Sequence, residues 1–283
     1  MRWSQGRRSG NIEDRRGMRM PGGRVGGIGL FGLLIALVAM FFGFDPGLFL
    51  GPRQQIAPPQ QQTSAPSSPE AEQMRDFVSV ILGETEATWE PIFQEAGADY
   101  REPTLVLYSG LTQTACGTGQ AAAGPFYCPA DQKVYLDTSF FDEMSRRFGA
   151  TGDFAQAYVI AHEVGHHVQT LLGITQEVEQ VRRSGGRAAN DTSVRFELQA
   201  DCLAGVWANH TQARTGMLER GDIEEALNAA SAIGDDRIQA QTQGFVVPDA
   251  FTHGSSEQRV RWFYAGLESG DLAACNTFDI AQP

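Results

Sequence analysis

His162-Glu163-Val164-Gly165-His166 holds the residues of this chain best suited to chemistry. Four residues of α-helix rise about 6 Å and advance about 40° round the axis. His162 and His166 therefore project from one face, where two imidazoles can close on one metal ion. Glu163 stands about 100° round from His162, near enough to handle a water at that metal. Zinc is the default ion for two imidazoles at this spacing. With five histidines in 283 residues, about 0.006 such patterns are expected by chance. Without a metal, the same residues would be two satisfied histidines on a buried amphipathic helix.

The helix that presents them is expected to be capped by Asp153. It carries Tyr158, Val159, Ala161, Val164, Val168 and Leu171, and so is apolar on more than one face, as a buried helix is. Burying Glu163 and two histidines there is costly without a partner, which again favours a metal. Gly165 costs about 1 kcal/mol against alanine in mid-helix, a cost that close approach of another helix would offset.

A catalytic zinc site needs three protein ligands and an open position. Gln169 and Leu172 stand where an extended H-E-x-x-H-x-x-G-x-x-H motif requires glycine and histidine. The third ligand must come from elsewhere, and Glu197-Leu198-Gln199-Ala200-Asp201 supplies it on the next helix, expected from Ser193 to about Gln212. Glu197 would complete a site of two histidines and a glutamate. Asp201, one turn on, would accept a hydrogen bond from a ligand imidazole. The apolar neighbours Phe196, Leu198, Leu203, Val206 and Trp207 argue against two merely solvated carboxylates.

H-E-x-x-H followed by E-x-x-A-D on the next helix resembles the gluzincin metallopeptidases, in particular the CAAX-prenyl-protease/heat-shock-protease branch. His253-Gly254-Ser255-Ser256-Glu257-Gln258-Arg259 resembles that branch in its His and Arg six residues apart, with Gly254 where proline is usual. Over nearly its full length the chain also resembles the bacterial neutral zinc metallopeptidase family. The resemblance lies in Met1-Arg2-Trp3, the Asn11–Gly17 run, an apolar N-terminal stretch, and the HEVGHH, ELQADC and THGSSEQR segments. It implies a single-pass, zinc-dependent peptidase acting on a peptide or protein substrate. In that reading one catalytic Zn2+ is held by His162, His166 and Glu197, and Glu163 is general base to a zinc-activated water. His253 would contact the oxyanion or substrate, or else be a structural histidine before the next helix, and Arg259 would orient a carboxylate or the substrate. Two other readings keep parts of this picture: a membrane-tethered envelope adaptor with a structural zinc, and a zinc amidase acting on cell-wall peptides. His167 is expected to pack, and His210 to lie at the surface.

The organisation around these residues is an α+β fold: a mainly helical zincin-like domain, a small β-sheet or hairpin before the H-E-x-x-H helix, and one preceding transmembrane helix. The helix is read from Val25 to Phe44, 20 residues without a charge. Seven arginines precede it, which by the positive-inside rule puts that side in the cytoplasm. An uncleaved anchor is preferred to a signal peptide, because the run is long and no clear A-x-A site follows. The expected divisions are a basic cytoplasmic segment over 1–24, the anchor over 25–44, a Pro/Gln/Ser linker over 45–69, and an extracytoplasmic domain over 70–283 in the bacterial cell membrane. The net charge of −12 argues against a nucleic-acid partner. Cys116, Cys128, Cys202 and Cys275 are then free to form disulfides, expected as Cys116–Cys128 and Cys202–Cys275. Strands are expected at Leu105–Tyr108, Phe126–Cys128 and Lys133–Leu136, the last alternating as an edge strand would. Such an edge beside the metal helix could pair with an extended peptide. Gly110 to Gly124 reads as a loop, and oligomeric state is left open.

Overall fold

In the computed structural model, which describes residues 1–17, 68–120 and 124–283, the chain is mainly helical with a small sheet. Helix α1 (Pro69–Glu95) opens at Ser68, whose side chain accepts from the Ala71 N–H, with Pro69 where a missing N–H costs nothing. Pro91 inside the helix withholds a bond from the Ala87 carbonyl, and Arg214 donates to that oxygen at 3.4 Å. Phe77, Ile81, Trp89 and Phe93 carry the apolar face of α1 into the core.

The strands among the described residues are β1 (Ile12–Asp14), β2 (Thr104–Tyr108), β3 (Leu111–Thr114), β4 (Gly117–Gln120), β5 (Phe126–Cys128) and β6 (Lys133–Asp137). The four-stranded sheet runs β1-β2-β6-β5, with β1, β2 and β6 parallel and β5 antiparallel to β6. β6 is therefore interior, and the edge beside it is β5. Its alternation misled because Tyr135, on the face read as solvent, is buried with Val106, Tyr108 and Cys128 in a second small core. The stretch expected as a loop contains the β3–β4 hairpin, tied to β5 through the Cys116–Cys128 disulfide.

Helices α2 (Ser139–Phe148), α3 (Asp153–Leu171), α4 (Ile174–Arg182), α5 (Gly186–Thr215), α6 (Asp222–Ala232), α7 (Asp235–Gln243) and α8 (Ser256–Ser269) complete the order. Gly152, at φ 104, precedes α3, so Asp153 is its first residue and not its cap. α5 starts well before Asp191 and Thr192, which lie inside it. α3 runs through the core. A Cβ at Gly165 would sit 3.0 Å from the Ala200 carbonyl oxygen, so the missing side chain is what lets α5 come close. α5 and α8 cross more tightly still: a Cβ at Gly266 would lie 1.9 Å from the Cys202 carbonyl oxygen. The Cys202–Cys275 disulfide fastens the chain after α8 onto α5.

The expected membrane helix and cell-membrane localisation are corrected. Among the described residues no helix is long and apolar enough to cross a membrane, and the run 25–44 lies outside the described residues. The expected topology fails on a second ground. Met1–Arg16 and Ser67–Pro283 belong to one unit. β1 pairs in register with β2, Ile12 to Leu105 and Asp14 to Leu107. The Arg8 guanidinium meets Asp76 at 2.8 Å, and Arg7 meets Glu86 at 3.8 Å. Segments sharing a hydrogen-bond ladder cannot lie on opposite faces of a bilayer. Arg2, Arg7, Arg8, Arg15 and Arg16, read as part of a topogenic flank, are ion-pair partners within the folded unit instead.

Candidate metal centre and its cleft

The 3.6-residue repeat of α3 puts His162 and His166 on one face, with rings 4.8 Å apart and nearly perpendicular. Glu197 reaches them from α5. Its Oε2 lies 3.2 Å from His162 Nε2 and 3.4 Å from His166 Nε2. A tetrahedral zinc with ligand bonds of about 2.0–2.1 Å separates its ligand atoms by about 3.3 Å. The spacing of these donors thus fits that ion, and a donor set of two imidazoles and one carboxylate suits it. His162 and His166 hold Glu197 ionised, well below the usual carboxylate range, against the opposing effect of burial.

Asp201, four residues beyond Glu197 on the same face of α5, is fully buried and accepts four hydrogen bonds. His162 Nδ1 lies 2.8 Å from Oδ1, Tyr158 donates to the same oxygen at 2.5 Å, and Arg259 donates to both oxygens at 2.8 Å. Burial alone would raise the pKa of Asp201, but Arg259 and His162 hold it down to about 2. The bond at Nδ1 leaves His162 Nε2 turned to Glu197. His166 is fixed by a different device: its Nδ1 lies 2.7 Å from Gln169 Oε1, and the Gln169 amide donates to Phe196 O and Gln199 Oε1.

Glu163 lines the same cleft, of about 720 Å3, together with His253 and Arg259. Burial raises its pKa, so it takes and releases a proton nearer neutrality than an exposed glutamate does. His253 is half exposed at the cleft, and its Nδ1 lies 3.2 Å from Asp235 Oδ1. Asp235 also accepts the backbone N–H groups of Thr252, His253 and Gly254, fixing the loop before α8. Its carboxylate raises the pKa of His253.

The structure therefore brings His162, Glu163, His166, Glu197, Asp201, His253 and Arg259 together. Arg259 is buried against Asp201. His167 is buried away from the donors, and His210 lies 2.8 Å from Gly270 O at the far end of α5. Sequence reasoning missed Tyr158, Gln169 and Asp235. Tyr158 and Gln169 were within reach of it, being four residues before His162 and three after His166 on one helical face. Asp235 left no signal, because only the tertiary fold places it beside His253.

Two imidazoles and one carboxylate around a single point, with a buried glutamate beside them in an open cleft, form the donor set of the catalytic zinc hydrolases. The chain belongs to the family described as "putative neutral zinc metallopeptidase", whose model matches residues 1–278. It is 53% identical over 291 residues to the uncharacterized protein YpfJ of Escherichia coli K12, covering 98% of this chain and 99% of that one. It is 42% identical over 260 residues to the uncharacterized protein Rv2575 of Mycobacterium tuberculosis H37Rv, covering 86% of each. No solved structure matches the chain.

Proposed function

We propose that the protein is a zinc-dependent peptidase of gluzincin type, with one ion held by His162, His166 and Glu197. The observation that carries this reading is the 3.2 and 3.4 Å spacing of the three donor atoms with Glu163 in the same cleft. Bound there, zinc supplies a Lewis acid that polarises the scissile carbonyl and lowers the pKa of the attacking water. Glu163 accepts the proton of that water on its carboxylate and returns it to the leaving amine. Its raised pKa makes it the better acceptor of that proton. His253 in its protonated form, with Nδ1–H on Asp235, donates Nε2–H to the developing oxyanion. Asp201 fixes the ring of His162, and Arg259 keeps Asp201 ionised and in place.

Glu163→Gln tests the reading. The variant is expected to fold, to retain stoichiometric zinc and to lose peptide hydrolysis by at least about 100-fold. Hydrolysis at the wild-type rate in that variant would refute the assigned base.

A further inference from the structure

The third histidine of the HEVGHH run takes no part in the chemistry above, yet it is completely buried. It follows His166 directly, so its ring leaves α3 about 100° away from the metal face. Both ring nitrogens have partners. Nε2 lies 2.5 Å from the Arg101 carbonyl oxygen, and Nδ1 lies 3.1 Å from the Tyr127 hydroxyl. A carbonyl only accepts, so Nε2 carries the proton. A neutral imidazole has one N–H, so Nδ1 accepts and Tyr127 donates. The rings of Tyr100 and Tyr127 pack edge-on against the imidazole at 5.9 and 5.5 Å.

Tyr127 belongs to β5, the edge strand, and lines the cleft with Pro125 and Phe126. β5 is three residues long and among the described residues pairs with β6 alone: Phe126 with Tyr135, Tyr127 with Val134, Cys128 with Lys133. So short a strand, bonded on one side, is weakly held by its ladder. The disulfide anchors it at Cys128. Between that anchor and the cleft, the bond from Tyr127 to His167 joins the strand directly to the helix that bears His162, Glu163 and His166.

We propose that His167 is a positioning residue. Through Tyr127 it sets the separation between the β5 wall of the cleft and the metal helix, and with it the affinity for substrate. The substrate part rests on the peptidase reading; the tie itself does not.

The test uses the full chain, with Tyr127→Phe, which deletes one hydroxyl, and His167→Leu, which removes the acceptor at Nδ1 together with the donor to the Arg101 carbonyl. The first measurement is amide hydrogen exchange. Each variant is expected to quicken exchange at residues 126–128 about three- to tenfold, while the amides of α3 stay as in the wild type. The double variant should go no further than the worse single one, since both delete the same bond. The second measurement is hydrolysis of a quenched fluorescent peptide. KM is expected to rise by a similar factor, with kcat within about twofold and zinc content unchanged. Unaltered exchange at 126–128 in both variants would overturn the proposal. So would a fall in kcat or zinc content at constant KM, because His167 would then act on the metal ligands and not on the wall. Should the wild type cleave no peptide, the peptidase reading fails, and the exchange rates alone still decide the tie.

Discussion

Asp201 accepts four hydrogen bonds, and they explain why a carboxylate sits ionised where no water reaches. The buried guanidinium of Arg259 supplies two of them. Removing one partner of a buried charge pair leaves the other uncompensated, at a cost of about 3–5 kcal/mol. Arg259→Met is therefore expected to lower the urea midpoint by a corresponding amount. Because Asp201 also fixes His162, zinc affinity should fall about 10- to 100-fold. Chelator competition on folded protein checks the second effect separately. Gln169 does for His166 what Asp201 does for His162, but with a neutral amide in place of a charge. Gln169→Ala should weaken zinc binding with a smaller loss of stability, since it leaves no charge unpaired.

At the scale of elements, the centre depends on three helices meeting closely. Gly165 admits α5 to α3, and Gly266 admits α8 to α5. Gly266→Ala would push a methyl group into the Cys202 carbonyl, an obstacle of backbone that no rotamer change relieves. A loss of about 1–3 kcal/mol is expected, read as a lower melting temperature. Separation of α8 from α5 would also draw Arg259 away from Asp201. Much of this level was legible in the chain. The helical spacing of His162 and His166, the E-x-x-A-D face and the tight packing at Gly165 are local patterns, and local patterns survive in sequence. Strand order was not legible. Lys133–Asp137 alternates like an edge strand, but whether its second face is covered depends on residues far away in the chain. The start of α5 was also missed: the helix, expected from Ser193, already begins at Gly186.

At the scale of the whole molecule, the N-terminal segment is the largest departure from expectation. Three residues of β1 are too few for periodicity to register, and the surrounding arginines suggested a flank and not a strand. In the fold, Glu13 receives bonds from Arg15 at 2.8 Å and from Lys133 at 2.7 Å, joining β1 to β6 across the sheet. The Arg15 and Lys133 bonds lower the Glu13 carboxyl to about 2 from its ordinary 4.5, and Asp201 lies at about 2 against 3.8. Both groups are depressed by folding. Each therefore binds protons more readily when unfolded, and its contribution is complete above about pH 5 and lost as pH falls towards 2. Urea midpoints between pH 6 and pH 2.5 should decline steadily. Glu13→Gln should remove part of that slope, and a midpoint independent of pH would contradict the assignment.

The central claim is that one ion is shared by two histidines of α3 and one glutamate of α5. Zinc content of the purified protein, wild type beside Glu197→Ala, tests it most directly. The account predicts one zinc per chain in the wild type and little or none in a folded Glu197→Ala variant. A variant that still holds one zinc per chain would contradict it.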